Sequence, residues 1–407
     1  MSFLSGALSC LLLASVAVGQ TPTLFNRAIN GVTYATDQPV SPDSIASPFG
    51  GKLASSLAMD NTVPLSVNLT GTGRAILPLF PPMVSTVPAN GDVNPYGIVV
   101  VPRSLLGSTT IQTGDILVSN FNSAQGGQGT GTTIVRFDQQ GQQTLFYQGK
   151  GLGFTGALGI LADGIVVAGS LPTTDGTPAT IQPGSLLFID PLGNLLMTLT
   201  QNAGINGPWG LTIHDFGGGV AQIFVSNVLN GTVIRLDVSY NGGGQIVQVL
   251  RTVTIAANFP HRTDPDALVL GPSGLAYDAQ NDTLFVANSA NNTIYGIQGA
   301  GGTMSMPGEG EVLFNDLTKL HGPVNMVLAP NGHLIVSNSD GSNQDPKQTS
   351  ELVEFTEAGQ FVGEYSIDPG SGASFGIAVT TLAPGVIRLN AVDDASNTMK
   401  TFVTVIQ

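Results

Sequence analysis

Apolar and polar residues alternate in short runs along most of this chain, and the runs fall into four recurring forms. One ends on asparagine: "DILVSN" at 115, "QIFVSN" at 222, "TLFVAN" at 283 and "HLIVSN" at 333. A second follows it: "TTIVRFDQQG" at 132, "GSLLFIDPLG" at 184, "GTVIRLDVSY" at 231, "NTIYGIQGAG" at 292 and "SELVEFTEAG" at 350. A third precedes the pair: "NPYGIVV" at 94, "GALGILA" at 156, "GPWGLTI" at 207, "GPSGLAY" at 271, "GPVNMVL" at 322 and "ASFGIAV" at 373. A fourth closes the unit, as in "QQTLFYQG" at 142 and "QFVGEYSI" at 360. Alternation over about six residues is the period of a strand. The unit is therefore four strands, a to d, with a glycine in strand a at 97, 159, 210, 274 and 376 and Asn325 in its place in the fifth unit. Six such units predict an all-β fold, a six-bladed β-propeller of four-stranded antiparallel blades.

The sixth unit offers only three strands. A bare sheet edge is a liability, and "GRAILPLFPP" at 73 has the character of a strand d. The expectation is that residues 73–82 complete the last blade against 398–406. The domain reading is then a signal peptide over 1–19, an irregular arm over 20–71 and the propeller over 72–407.

The unit "GPSGLAYDAQNDTLFVANSANNTIYGI" resembles the NHL-repeat propellers, with a Pro-x-Gly, an Asp turn and a "lyVaDs" strand. The resemblance covers about residues 94–407 and implies the propeller fold. This chain places Asn where Asp is usual in that strand. The architecture hosts lyases, lactonases, scaffolds and binding modules, so the fold alone does not choose among them.

Composition agrees with the strand reading. Of 407 residues, 42% are hydrophobic, only 10% are charged and 53 are glycine, which favours strands and tight turns over amphipathic helices. The formal net charge of -14 repels a phosphate backbone and excludes nucleic acid as the expected partner. No basic stripe suits an anionic membrane, and no stretch reads as a membrane insertion. The opening "MSFLSGALSCLLLASVAVGQ" reads as a secretory signal cut after Gly19, which predicts a secreted protein, extracellular or periplasmic, and a monomer. Cys10, the one cysteine, lies inside that segment. Sequons stand at Asn68, Asn230, Asn281 and Asn291.

Strand a starts at one face near the axis, so b–c and d–a connections emerge on that face, called here the top. His214 and His333 fall beside a–b turns, on the bottom. His321 and His261 fall on the top, with Asp264, Asp266 and Arg262 in the long segment "NFPHRTDPDALVLGPSG". Asn120, Asn227, Asn288 and Asn338 either close their strands in turns or present a ring of amides to a neutral ligand. Gly169 stands in their place in the second unit, and Asn390 or Asp393 in the sixth. Tyr96, Trp209 and Phe375 share one slot before the strand-a glycine, where they either stack on a ligand or pack between blades.

Two functions follow. The first is a binding module whose top face takes a protein, glycan or small-molecule ligand through the asparagines, Arg262 and Trp209, with no cofactor expected. The alternative is a metal-dependent lyase or hydrolase with calcium or zinc held by His321, His261, Asp264 and Asp266 at the axial mouth. In that alternative the same four residues are the catalytic candidates. Lactonase-type propellers, which the fold resembles, hold a divalent metal on the axis with Glu, Asp and Asn; no Glu falls at a top-face slot here.

Overall fold

The computed structural model describes residues 81–102, 110–241, 247–304, 308–339, 351–368 and 374–406, together with four two-residue strands nearer the N-terminus. The chain divides into two compact units, Met1–Ile76 and Leu77–Gln407. In the first, Thr23–Leu24 pairs with Gly50–Gly51 and Ile29–Asn30 with Ala46–Ser47, both antiparallel. The rest of the predicted signal and arm lies outside the described residues.

The second unit is the six-bladed propeller. Each sheet runs a-b-c-d, all antiparallel. The a strands are Val93–Val100, Phe154–Ile160, Pro208–Gly217, Pro272–Asp278, Pro323–Leu328 and Ser374–Ala383. They lie side by side around the axis, the sixth against the first. The apolar core is divided by blade junction. Leu161, Val167, Phe188, Ile223 and Leu236 fill one between blades 2 and 3, for example, and Met326, Val336 and Phe355 pack against Phe285 between blades 4 and 5. This is why the b and c words are apolar at almost every position: their blades are covered on both faces.

Hydroxyls near the axis link successive blades. Ser119 Oγ donates to the Thr155 carbonyl (3.1 Å) and Thr155 Oγ1 to that of Pro208 (2.7 Å). Ser226 donates to Ser273 (2.7 Å), Ser273 to Pro323 (2.7 Å) and Ser337 to Phe375 (2.5 Å). Five junctions thus carry the same bond, satisfying carbonyls that a purely apolar seam would strand.

The strand-a glycines let those backbones meet. A Cβ on Gly274 would stand 2.5 Å from Asn325 Cα in the next blade, and one on Gly210 would stand 2.2 Å from the Ser273 carbonyl oxygen. Neither contact can be relieved by a side-chain rotation. Gly274→Ala is therefore expected to wedge blades 4 and 5 apart at a cost of about 1–3 kcal/mol. Urea unfolding checks this; an unchanged midpoint would show that the seam has slack.

Closure uses the N-terminal side of the propeller, as expected, and the described closing strand begins just after the expected segment. Blade 6 is completed by Met83–Ser85, which pairs with Thr398–Lys400. Residues 73–80 of the expected strand lie outside the described residues. Pro81 and Pro82 precede the observed strand and have no N–H to give a ladder. Pro82 still contributes its carbonyl, which accepts from the Thr401 amide at 2.9 Å.

Candidate functional site

The b-strand asparagines occupy one structural slot. Register places Pro208 opposite Asn227, Pro272 opposite Asn288 and Pro323 opposite Asn338, with Pro95 opposite Asn120. The same register puts Ser170 in the second blade, not Gly169, and Asp393 in the sixth, not Asn390. All four asparagines are buried. Asn120 Nδ2 donates to the Thr86 carbonyl and to Thr133 Oγ1, and Asn227 Nδ2 to the Gly204 carbonyl and Thr232 Oγ1. Asn288 reaches the Pro260 carbonyl, and Asn338 reaches that of Lys319 and Glu351 Oε1. Each amide ties the end of strand b to the connection entering its own blade. Of the two readings of these asparagines, strand closure is the one seen: each Nδ2 points at a carbonyl that has no other donor from the ladder, while Oδ1 of Asn120 and Asn338 is buried without a partner.

The aromatic slot meets itself across the axis. Tyr96 stacks on Phe375 with ring centroids 4.2 Å apart, and the edge of Trp209 stands 5.3 Å from Tyr96 and 5.4 Å from Phe121. Gly156 of blade 2 fits under this group: a Cβ there would be 3.6 Å from the Tyr96 ring and 3.6 Å from Asn325 Nδ2. Trp209 is buried, so it serves as a plug in the top of the channel and not as a platform open to a ligand. Leu171, Val228, Leu268, Val269 and Val324 complete the plug.

The long connection before blade 4 is a hairpin in which Arg262–Asp264 pairs with Leu268–Leu270. Leu268 and Val269 turn into the plug, while His261, Arg262 and Asp266 are exposed. Asp264 Oδ1 accepts the amides of Asp266 and Ala267, each at 3.0 Å, which closes the turn. His261 Nδ1 is 2.9 Å from the Phe259 carbonyl, and Arg262 Nη1 donates to that of Ala290. Gln128, from the b–c loop of blade 1, donates to the Asp266 carbonyl at 2.9 Å and links that loop to the hairpin. His321 is buried before strand a of blade 5, near Asp316, whose carboxyl the Thr318 hydrogen bonds hold below the usual range. The four predicted ligands are thus divided between two connections. Among the described residues no group of three or more His, Cys, Asp or Glu side chains is placed to hold a metal ion. Calcium or zinc finds no fit in this donor set, since Asp264 already serves the backbone.

A different cluster occupies the top of blade 6. Asp393 ends strand b and is fully buried. Lys400, on strand c and also buried, donates to Asp393, to Asp368 Oδ2 (2.6 Å) and to the Ile367 carbonyl (2.9 Å). Ser396 Oγ donates to Asp393 Oδ2 at 2.7 Å. Next along the chain is Asp394, whose Oδ1 is buried with no hydrogen-bond partner. Burial pushes its carboxyl up to about 8, with the charges of Asp393 and then Asp368 adding to the effect. The Asp394 charge in turn helps burial raise the Tyr96 hydroxyl. Lys400 serves Asp393 and Asp368, while Asp394 has only local backbone amides to offset its burial, so Asp394 is the carboxyl pushed upward. Sequence reasoning reached Tyr96 and Asp393 and missed Asp368, Asp394 and Lys400. The available signal was "DDASNTMK", an acidic pair in the asparagine slot with a lysine seven residues on.

No protein-family model matches this chain, and no curated protein matches it by sequence. Solved structures do. One is a gluconolactonase from Xanthomonas campestris, 11% identical over 83% of this chain and 99% of that one, with a TM-score of 0.47. Another is a streptogramin B lyase, 14% identical over 79% and 86%, with a TM-score of 0.45. A third is the calcium-binding regucalcin of Agrobacterium tumefaciens, 13% identical over 80% and 94%, with a TM-score of 0.46. At these identities and scores no residue role passes from those proteins to this one.

Proposed function

We propose that this chain is an exported, monomeric, NHL-like propeller enzyme, a lyase or hydrolase acting on a small molecule at the axial mouth of its top face. The observation that carries the reading is Asp394, a carboxyl buried beside Tyr96 with an oxygen that no protein group satisfies. A carboxyl protonated at neutral pH is a general acid; once its proton is given up, it is the base for the reverse transfer. Burial is the chief cause that keeps the Asp394 proton on, and Asp393 and Asp368, both bound to Lys400, add to it. Tyr96, against which Asp394 lies, is itself packed on Phe375 and Trp209. The binding-module reading is less favoured, because the asparagine Nδ2 groups it offered to a ligand are engaged inside the fold.

The test is Asp394→Asn, which keeps the shape and removes the titration. A group whose folded pKa is raised binds more protons in the folded state than in the unfolded one between the two values. Stability from Asp394 is therefore full below about pH 4 and is lost as pH rises to about 8. Wild type is expected to melt lower at pH 9 than at pH 6, and the variant to lose that part of the slope. Against a panel of lactones and glycosides, the variant is expected to lose about 10²–10⁴ in rate, the usual worth of a general acid. An identical pH slope in both proteins would remove the proposed acid.

Elemental analysis addresses the metal directly. The expected result is less than one equivalent of calcium or zinc, with a melting curve unmoved by chelator. One equivalent, lost in His321→Ala, would return the site to the metal-dependent alternative.

A further inference from the structure

The turn that carries Asp394 is held from two sides, and the outer hold crosses the point where the two ends of the propeller meet. From within, Asp393 Oδ1 accepts the Ala395 amide at 3.0 Å. From outside, Asn397 Oδ1 accepts the Asn94 amide at 2.7 Å, and the Asn397 carbonyl accepts both the Thr86 amide and the Thr86 hydroxyl at 2.9 Å. Asn397 and Asn94 both adopt the left-handed region, at φ +52° and +59°. Asparagine is among the few side chains that settle there, because its short amide bonds locally. Thr86 is buried and directly follows the closing strand; Asn94 stands two residues before Tyr96.

We propose that Asn397 is a positioning residue: its clasp on Asn94 and Thr86 sets Asp394 against Tyr96, so that docking of the closing strand regulates the site. This rests on the reading of Asp394 as the site's acid. Sequence separation makes the point physically. The contacts join residues 303 and 311 positions apart, so the turn has no local reason to keep this form once Thr86 and Asn94 withdraw. Among the described residues, the groups facing the Asp394 carboxyl are Asp393 on its own turn, Asp368 on the connection from blade 5 and Tyr96 on blade 1, with Lys400 on strand c held by Asp393 and Asp368. Only Tyr96 and the clasp come from the N-terminal side. Release of the clasp admits water beside Asp394 and stabilises its charged form.

Asn397→Gly tests this, since glycine accepts the left-handed backbone without strain but offers no Oδ1. Asn397→Asp keeps an acceptor and adds charge. Two measurements are made on each full chain: the titration midpoint of the Asp394 carboxyl by carbon NMR, and amide exchange over residues 394–398. In Asn397→Gly the midpoint is expected to fall by at least about one unit, a tenfold weaker hold on the proton, and exchange to quicken at least tenfold. In Asn397→Asp the midpoint stays at or above wild type and exchange stays slow. A wild-type midpoint near 4 would defeat the acid and leave the clasp to be judged by exchange alone. Exchange unchanged in Asn397→Gly, or a wild-type midpoint near 8 unmoved by it, would overturn the clasp.

Discussion

A chain shortened to begin at Val87 is expected to lose its cooperative melt near the wild-type temperature and to self-associate. The cut removes Met83–Ser85 and with it the d strand of blade 6 among the described residues. It removes Thr86 as well, whose carbonyl accepts from Asn120 and whose amide and hydroxyl hold Asn397. Strand c of blade 6, Thr398–Val405, then offers its whole outer edge. It already shows Val403 and Val405 to solvent, so the new edge is long and apolar, the combination that recruits other chains. Val84 also leaves the core cluster that includes Met399. Several kcal/mol are at stake, on the order of 10 °C for a domain of this size. Light scattering with differential scanning calorimetry checks both effects, and a chain beginning at Leu77 is the control that should behave as wild type. A Val87 chain that stays monomeric and melts normally would mean that blade 6 stands on three strands and that closure is decorative.

The blades were legible because their information is local and repeated. Alternation with period two is written into each word, and six copies of the order a-b-c-d leave little freedom. Errors arose where one residue shifts the phase. In blade 2 four residues separate Phe154 from Leu158 while their partners Ser170 and Ala168 are two apart. The other blades span the same bulge with three residues, as Pro272 to Leu275 does. That extra residue moved the apparent glycine slot to Gly159, which in fact pairs with Val167 further along the strand, and left Gly156 at the axis. The described closing strand, Met83–Ser85, begins just past Pro81 and Pro82, which have no N–H to donate.

The site was much less legible. That an asparagine ends strand b can be read from the chain, but not whether its amide faces a ligand or the carbonyl of the preceding connection. Asp394 is harder still. An aspartate pair in a polar loop reads as solvated, and what makes it otherwise is Tyr96, about 300 residues earlier. Long-range closure put them together, and no window along the sequence contains both.

Replacing Lys400 by methionine is expected to have the largest effect of any single side chain at the top face. Methionine matches the stem of lysine and removes the ammonium, so packing is roughly kept while the charge is lost. Among the described residues the ammonium is the one cation against Asp393, which is fully buried, and it also bonds Asp368 and the Ile367 carbonyl. Breaking a buried pair by removing one partner costs about 3–5 kcal/mol, because the other charge is left uncompensated. Burial already raises Asp393 against the pull of Lys400, so without the ammonium it would rise further and take a proton. The sign follows: stability retained by protonated Asp393 is present at low pH and lost as pH rises, so Lys400→Met should be close to wild type near pH 5 and fall furthest behind near pH 8. Adding Asp393→Asn removes the stranded charge and should recover much of the loss at pH 8, leaving the pair strongly non-additive. Urea unfolding of the two single variants and the double at both pH values measures this. A Lys400→Met protein with the same midpoint as wild type at pH 8 would mean that water already reaches Asp393, and the reading of a dry, charge-tuned site around Asp394 would fall with it.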